Sequence, residues 1–282
     1  MRLPSALMSA ALVLGAAAAA HADEWNRSFP VHAAPVVHVR SNDARIQIMT
    51  WERPEVAVHV VTSRWKIGRQ VQVDASQNGD DVTVETHAPS FNFVFFDFTP
   101  RYVHVEVTVP RHSDLDLHSG DGSISIGAVE GHIHAETGDG GVIANGLHGD
   151  IRLHTHDGSI EAHELDGRVD ASTGDGHVTV SGRFDALEVG SGDGRVDAEA
   201  LPGSSLGPGW SLHTGDGSLT LRIPRDLKAD LDAHTGDGGI HVDIPVEVSG
   251  FMKRTWMRGT INGGGPPLKL RSGDGSIRLT SI

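Results

Sequence analysis

The chain has 282 residues with no cysteine and 5% aromatic residues, and its 23 basic and 37 acidic side chains give a formal net charge of −14. Without cysteine it offers neither disulfides nor a thiol for lipid attachment, so packing and backbone hydrogen bonds must stabilise it. The negative charge disfavours nucleic acid and anionic lipid headgroups as partners, and it favours cations, cationic peptides or basic proteins. Keeping a long exposed sheet soluble is an alternative use of the same charge.

Residues 1–22 have the pattern of a cleaved secretion signal. Arg2 is followed by an apolar stretch rich in Leu and Ala, and a small-residue pattern at 20–22 precedes Asp23. Cleavage there removes one basic residue, which leaves 22 basic against 37 acidic residues and a net charge of −15. No later stretch reaches the roughly 18 consecutive apolar residues of a membrane-spanning helix. We expect an exported mature chain without a membrane span, in the periplasm or at the cell surface, and an uncleaved N-terminal anchor is the alternative.

Residues 23–118 are predicted to form degenerate coils of strand and turn. An alternating segment at 36–40 leads through Ser41-Asn42-Asp43 into a second one at 45–48. Atypical coils are expected at the end of a stack, where the exposed edge must be capped. Further strands are predicted at 56–61, 71–74, 82–85 and 102–109.

A phenylalanine-rich segment interrupts this region. Successive side chains of a strand point to opposite faces, so these rings cannot all be buried against one sheet. Two interpretations stay open: a hydrophobic plug for the end of the stack, or an exposed patch that contacts a membrane or a protein partner. The candidate contact residues are Phe91, Phe93, Phe95, Phe96 and Phe98.

Residues 119–200 repeat one motif with a fixed period. Its first copy is Ser119-Gly120-Asp121-Gly122-Ser123-Ile124, and four more copies follow at intervals of 18 residues. A fixed period of this size is typical of coils that stack on copies of themselves. The repeated aspartates are Asp121, Asp139, Asp157, Asp175 and Asp193.

Each coil divides into two halves that open on a turn and continue as a short alternating strand. Apolar side chains then face inward, and consecutive coils pair as parallel strands about 4.8 Å apart. The pattern predicts an all-β, single-domain parallel β-solenoid, similar to a β-helix or β-roll, with coils of about 18 residues and two short strands. At this register Asp150 would lie beside Arg168, and Arg152 beside Asp170.

In residues 201–282 the spacing becomes irregular. Further copies of the motif at Asp216, Asp237 and Asp274 follow after 23, 21 and 37 residues. The extra length lies in turn-rich segments at 201–209, 223–226 and 245–267, which are predicted to be loops at the corners of the coils. We predict looser C-terminal coils and a cap. No linker interrupts 23–282, which is therefore predicted to be one elongated domain.

Several motifs together resemble the bacterial DUF4097 family, whose members are also described as candidate adhesins with β-strand repeats. They are the strand pattern at 29–48, the repeated Ser/Thr-Gly-Asp-Gly-Ser-Ile turns, the Gly-Thr-Ile-Asn-Gly-Gly-Gly run at 259–265 and the last turn at 272–277. The resemblance implies a β-solenoid envelope protein and supplies no catalytic residues. The phenylalanine segment and the many histidines depart from the family's usual pattern.

The stacked aspartates are the sharpest candidate site. Carboxylates in a row at about 4.8 Å repel their neighbours by roughly 1 kcal/mol even in water. Either turn amides donate hydrogen bonds to each carboxylate, or cations lie between the coils. The calcium-binding β-roll of RTX proteins also has 18-residue coils, but its aspartate stands two residues before the apolar strand residue, whereas Asp121 precedes Ile124 by three. Turn chemistry is favoured, and calcium is the alternative; no other cofactor is predicted.

Histidine is abundant, with 18 residues, and forms the pairs His132/His134 and His154/His156. Residues two apart on a strand share a face, so each pair offers two nitrogens to a divalent metal. The next coil, however, places Arg152 beside the first pair, and a guanidinium disfavours a bound metal. We expect solvated surface histidines and predict no specific metal site.

Signals for catalysis are weak. The segment 203–207 matches Gly-x-Ser-x-Gly, but a nucleophile elbow needs a strand before it and a helix after it, and prolines flank this copy. We predict a non-enzymatic envelope protein that acts as an adhesin-like or scaffold binding surface for an envelope protein, a glycan or a cationic peptide. The alternatives are a calcium-dependent β-roll and a glycan-processing β-helix enzyme with carboxylates along an outer face.

Overall fold

The computed structural model describes residues 22–32, 34–89, 101–248 and 253–282. Within these ranges the chain forms strands, turns and bends and no helix, which confirms the predicted all-β class. No helix able to span a membrane is therefore found in the described ranges. The predicted signal segment, apart from Ala22, and the phenylalanine segment lie outside the described residues.

The first seven strands cover the region predicted as degenerate coils. Alternation of apolar and polar residues gives each strand one inward face, as in Glu55–Ser63, where every second side chain is buried. The strands are β1 (Ala22–Pro30), β2 (Val36–Ser41), β3 (Arg45–Trp51), β4 (Glu55–Ser63), β5 (Gln72–Asn78), β6 (Asp81–His87) and β7 (Val103–Pro110).

The next ten strands carry the regular coils. Two of them are long, because they run around a corner of the coil without a break. The strands are β8 (Asp114–Ser119), β9 (Ile124–Ile126), β10 (Glu130–Thr137), β11 (Val142–Asn145), β12 (His148–Thr155), β13 (Ile160–Thr173), β14 (Val178–Ser191), β15 (Val196–Ala200), β16 (Trp210–Thr214) and β17 (Leu219–Ile223).

The last six strands form the C-terminal coils and their cap. On average these strands are shorter than those of the regular coils, and loops rich in glycine and proline separate them. The strands are β18 (Ala229–Thr235), β19 (Ile240–Val242), β20 (Glu247–Val248), β21 (Trp256–Ile261), β22 (Pro267–Ser272) and β23 (Ile277–Ser281).

The middle coils stack in parallel with the predicted register. β10, β12 and β13 align Ile133 with Ile151 and Ile151 with Val169. The second strand of each coil stacks with the same 18-residue register, since β11 and β13 align Val142 with Ile160. Two rows of parallel strands therefore face each other, and each coil adds one strand to either row.

The inward side chains of the two rows form one thin apolar core. Val, Ile, Leu and Ala at alternate positions are buried along the whole stack. Where loop 201–209 enlarges a coil, Phe184 and Trp210 fill the interior with ring centroids 6.0 Å apart in an edge-to-face arrangement. The indole nitrogen of Trp210 donates to the Ser205 carbonyl at 3.2 Å, so its polar group is satisfied.

The predicted charged neighbours on the outward face are confirmed as neighbours. Asp150 is the register partner of Arg168, and Arg152 that of Asp170. The Arg152 guanidinium instead forms an ion pair with Asp150 of its own strand at 3.4 Å. Burial raises the pKa of Asp170, and the carboxylate of Glu188 in the next coil raises it further.

At both ends the order of the strands in space departs from their order in the sequence. β2 lies between β6 and β8, and β3 lies between β7 and β9. In the same way β22 lies between β16 and β18, and β23 between β17 and β19. The first and last coils in the sequence are therefore inserted one place inside the ends of the stack.

Antiparallel strands close both ends. β1 pairs with β4, β4 with β7, and β5 with β6 at one end, and β21 pairs with β18 and β20 at the other. The prediction of a strictly parallel solenoid is therefore wrong at the ends and holds for the middle. A hairpin covers an edge strand with a short connection, whereas a further parallel coil would expose a new edge.

Candidate functional site

The register aligns the aspartates of the repeated turn in one row. Thr155 and Thr173 are register partners, so the aspartates two positions later are stacked as well. The row extends beyond the five predicted members, since Ser41 also pairs with Ser119. All the aspartates of the row are exposed. In spatial order they are Asp43, Asp121, Asp139, Asp157, Asp175, Asp193, Asp216, Asp274 and Asp237.

A row of buried hydroxyls fixes the turns beneath this aspartate row. The Gly158 amide donates to Thr155 Oγ1 at 3.1 Å, and that hydroxyl donates to the Gly140 carbonyl of the preceding coil at 2.8 Å. A buried hydroxyl is costly unless it is hydrogen-bonded, and here each one ties a turn to its neighbour. The hydroxyls that donate across coils in this way belong to Ser119, Thr137, Thr155, Thr173, Ser191, Thr214, Ser272 and Thr235.

The backbone amides of the turns do not use the carboxylates. The Asp139 amide donates to the Gly120 carbonyl at 3.2 Å, and the Asp157 amide donates to the Gly138 carbonyl at 3.1 Å. The predicted bonds from turn amides to the aspartate side chains are not formed within the described residues. The Ser or Thr two positions earlier takes that role, so the carboxylates project into water, where salt screens their repulsion.

The repulsion in the row is visible at its N-terminal end. Burial raises the pKa of Asp43, and the Asp121 carboxylate in the adjacent coil raises it further. The Asp121 carboxylate therefore disfavours the charge on Asp43, as expected for stacked carboxylates.

The glycines around each aspartate are required by the close stacking of the coils. A Cβ on Gly158 would collide with the Gly140 carbonyl oxygen, and a Cβ on Gly122 would collide with that of Ala44. In the turn Ser41-Asn42-Asp43-Ala44, Ala44 stands where the later turns have their second glycine. Among the described residues, no Gly-Asp-Gly turn stacks on the outer side of this turn, so the Cβ of Ala44 is tolerated.

A second group of polar side chains lies on the outward face of β8 and β10. His118 Nε2 is 2.9 Å from Asp116 Oδ1, and His118 Nδ1 is 3.3 Å from Glu136 Oε2. The ring of His134 packs edge-to-face against His118, with 5.4 Å between centroids. We call these four residues the histidine–carboxylate cluster. Sequence analysis missed it, although the 18-residue register sets Asp116 beside His134 and His118 beside Glu136.

Strand β2 supplies further partners to this cluster. His38 Nδ1 is 3.0 Å from Asp116 Oδ2, and the Arg40 guanidinium is 3.7 Å from the same oxygen. Burial raises the pKa of Asp116, but the hydrogen bond from His38 and the charge of His118 outweigh it and hold that pKa below its ordinary value. Asp116 is therefore an ionised carboxylate at neutral pH.

The two predicted His-x-His pairs do not act as pairs. His132 Nδ1 lies 3.2 Å from Asp114 Oδ1, whereas His134 belongs to the histidine–carboxylate cluster. His154 is on β12, but His156 lies beyond the end of that strand in the turn. The assumption that each pair shares a strand face therefore fails for the second pair.

The remaining sequence candidates have different outcomes. The phenylalanine segment lies outside the described residues, so its contact role stays a prediction. The Gly-x-Ser-x-Gly match is confirmed as a loop. Ser204 Oγ donates to the Leu201 carbonyl at 2.7 Å and accepts from the Phe184 amide at 3.1 Å, so this hydroxyl holds the loop against the coil.

A shallow groove of about 320 Å³ lies where this loop meets the outward sheet face. Charged side chains of both signs line it, so the face is not uniformly acidic here. They include Arg152, Arg168, Asp170, Glu188 and Lys269.

Comparisons place the chain in a family. The family model described as Toastrack DUF4097 matches residues 36–280, so the chain belongs to the DUF4097 family, and the resemblance is confirmed. Among solved structures, a candidate adhesin from Parabacteroides merdae is 9% identical, with 91% of this chain and 96% of that chain covered and a TM-score of 0.48. A candidate lipid-binding protein from Parabacteroides distasonis is 12% identical (92% and 97% covered, TM-score 0.45). A candidate cell adhesion protein from Clostridium sporogenes is 9% identical (92% and 100% covered, TM-score 0.30). No curated protein matches.

Proposed function

We propose that this chain is an exported, non-enzymatic protein of the bacterial envelope that acts as an adhesin-like or scaffold binding surface. In this proposal residues 1–22 are the export signal, and 23–282 form one elongated solenoid-like domain in the periplasm or at the cell surface. The observation that carries the proposal is the row of exposed aspartates on a backbone that is fixed from coil to coil. An extended partner meets an aspartate carboxylate at every coil, and neighbouring coils are about 4.8 Å apart.

The chemistry of the row favours a partner with cationic groups. Its carboxylates are exposed and without hydrogen-bonding partners among the described residues, so no internal bond is lost when a partner binds. The hydroxyl row fixes the turns, so little backbone entropy is lost on binding. A field of one sign along the whole stack also raises the association rate of a cationic partner, in a salt-dependent manner.

The adjacent outward face offers a second contact region. The groove beside loop 201–209 combines both charge signs, which suits hydrogen bonding to a polar chain such as a glycan or an extended protein segment. An extended partner therefore has two surfaces to use, the aspartate row and this face.

The proposal is tested with the mature chain, residues 23–282, and a fluorescein-labelled decalysine peptide as the cationic probe. Fluorescence anisotropy at low salt should show binding that weakens about tenfold in the triple variant D139N/D157N/D175N. The control variant E161Q/E164Q/D226N removes the same charge from exposed positions outside the row. Equal losses in both variants would show that only net charge matters, and would overturn the role of the row. Co-sedimentation of both variants with isolated cell envelopes extends the comparison to native partners.

A calcium-dependent fold is the second candidate, and the stacking of the aspartates in register favours it, because a cation between coils would relieve the repulsion between neighbouring carboxylates. Thermal unfolding of residues 23–282 is followed by far-ultraviolet circular dichroism in chelator and in millimolar calcium. A midpoint that rises by about 5 °C or more with calcium in the native chain, and does not rise in D139N/D157N/D175N, would support the candidate. An unchanged midpoint would remove it.

A further inference from the structure

We propose that Asp116, His118 and His134 form a binding site for a divalent transition metal, with Zn²⁺ as the best fit. One ligand atom from each residue lies within 4.8 Å of the other two. Imidazole nitrogen and carboxylate oxygen are donors that Zn²⁺ prefers, and three protein ligands leave a fourth position open. This site is separate from the aspartate row. It goes beyond the proposed binding function, because it adds a metal ion with an open coordination position to the outward face.

The distances allow a tetrahedral site after small side-chain movements. With bonds of 2.0 to 2.1 Å, the ligand atoms of a tetrahedral Zn²⁺ lie about 3.4 Å apart. His118 Nε2 and Asp116 Oδ1 are already 2.9 Å apart, so the ion would replace the shared proton and separate them slightly. His134 must move toward them by at most about 1.5 Å. Its side chain is 39% exposed and lies at the surface, so rotation about its side-chain bonds can supply this movement.

Surrounding groups already orient two of the three ligands, Asp116 and His118, which is an independent indication of a metal site. His118 directs Nε2 toward Asp116, while its Nδ1 faces the Glu136 carboxylate at 3.3 Å. A metal-bound histidine in proteins almost always donates its other ring N–H to such an acceptor. On the far side, His38 Nδ1 lies 3.0 Å from the second oxygen of Asp116 and fixes the direction of that carboxylate.

The donor set also selects the class of metal. Two imidazoles favour Zn²⁺, Ni²⁺ or Cu²⁺ over Ca²⁺ and Mg²⁺, which prefer oxygen ligands. The Arg40 guanidinium, 3.7 Å from Asp116 Oδ2, opposes a cation and lowers the affinity. The 18-residue period predicted that Arg152 of the following coil would lie beside His134, and the register confirms it, but the Arg152 guanidinium forms an ion pair with Asp150 at 3.4 Å. The ligands instead come from the preceding coil, where Asp116 and His118 lie.

The test is isothermal titration of the metal-free mature chain with ZnCl₂ at pH 7.5. Binding of one equivalent is expected, and the double variant H118N/H134N should weaken it at least 100-fold. The control variant H163N/H213N removes two histidines at other places in the stack, and its affinity should equal that of the native chain. Circular dichroism verifies that each variant is folded.

Two further measurements separate a built site from general histidine binding. Co²⁺ in place of Zn²⁺ should give the intense visible absorption of a tetrahedral ion, and H118N/H134N should lack it. The variant R40Q should bind Zn²⁺ about three to ten times more tightly, because a nearby positive charge is removed. Binding of several equivalents with equal losses in H118N/H134N and H163N/H213N, or an unchanged affinity in H118N/H134N, would overturn the site. Neither result would affect the aspartate-row proposal, which decalysine binding tests.

Discussion

The middle coils and the end coils carry the same buried hydroxyl row in different surroundings. In the middle, Thr155 Oγ1 accepts from the amide of its own turn and donates to the preceding coil. At the N-terminal end, Thr86 is the register partner of Ser41, yet its Oγ1 is buried and has no partner among the described residues. The hydroxyl therefore stabilises a coil where a tight turn follows it, and this includes Ser41, whose Oγ accepts from the Ala44 amide at 2.9 Å although that turn lacks the glycines.

Other interactions stabilise the end coils where the hydroxyl has no partner. At the C-terminal end, antiparallel β21 is joined to β18 by a cross-strand ion pair, in which Arg258 donates to Asp232 Oδ2 at 3.0 Å. The inserted coils place β2 and β3 near the start of the sequence, and β22 and β23 at its end, between other strands, so neither of these coils forms the outer edge of the stack. The comparison indicates that the middle depends on repeated backbone geometry, whereas the ends depend on chain order and on individual side chains.

Removal of the inserted C-terminal coil should have the largest effect. A chain that stops at Pro266 lacks β22 and β23, whose inward side chains, including Leu268 and Ile277, are fully buried. β18 and β19 then lose their parallel partners, so we expect residues 229–261 to lose amide protection in hydrogen exchange. As the control, a chain that begins at Val31 lacks β1, which among the described strands pairs only with β4, and it should keep its protection in 229–261. Retained protection of 229–235 in the shortened chain would contradict the inserted order.

A methyl group on a turn glycine of the middle should have the next largest effect. Gly158→Ala places a Cβ against the Gly140 carbonyl, and we expect the free energy of unfolding to fall by about 3 kcal/mol. At the end coil, a Cβ on Gly239 would meet, among the described residues, only the His241 side chain at 3.5 Å. Gly239→Ala should therefore change the stability by less than about 0.5 kcal/mol in urea denaturation. Equal effects would show that the middle is not packed more tightly than the end.

Deletion of one hydroxyl tests the row itself. Thr155→Val keeps the shape but leaves the Gly158 amide without its acceptor, which should cost about 1 to 3 kcal/mol. Thr86→Val removes a buried hydroxyl that has no partner, so the stability should be unchanged or slightly higher. Denaturant melts of the two variants measure the difference. A comparable loss in both would mean that the hydroxyls act through packing alone.

The ion pair at the C-terminal end should have the smallest effect, and it depends on pH. Burial raises the pKa of Asp232, but the hydrogen bonds from Arg271 and Arg258 outweigh it and lower that pKa below 3.8. Because the folded pKa lies below the unfolded one, the stabilisation is complete at neutral pH and is lost as the pH falls through the folded pKa. Asp232→Asn should cost about 1 kcal/mol at pH 7 and progressively less below about pH 4.

The exposed Asp226 provides the control for this prediction. Asp226→Asn should leave the stability unchanged over the same range of pH, because that side chain is exposed and has no ion pair among the described residues. A constant difference between Asp232→Asn and the native chain from pH 7 to pH 3 would contradict the role of the ion pair.

The sequence was most informative where its period was regular. Intervals of 18 residues predicted that Ile133, Ile151 and Val169 would stack, and the pairing of β10, β12 and β13 confirms it. The same register extends the aspartate row to Asp43, a copy without its glycines. The role of the aspartate was misjudged, because Asp before Gly commonly accepts turn hydrogen bonds and the pattern gives equal prominence to the Ser or Thr two positions earlier.

The sequence by itself determined the inward faces and the spacing of the regular coils, because alternation and period are local properties of the chain. It did not predict β20 and β21, which lie in the segment 245–267 that its turn residues favour as a loop. Only the tertiary structure decided that β2 and β22 are inserted between other strands, since the local sequence pattern does not specify which coil a terminal strand will pair with. It also decided which histidines meet. His134 faces coils on both sides, and the partners that approach it, Asp116 and His118, come from the preceding coil through the stacking of separate strands.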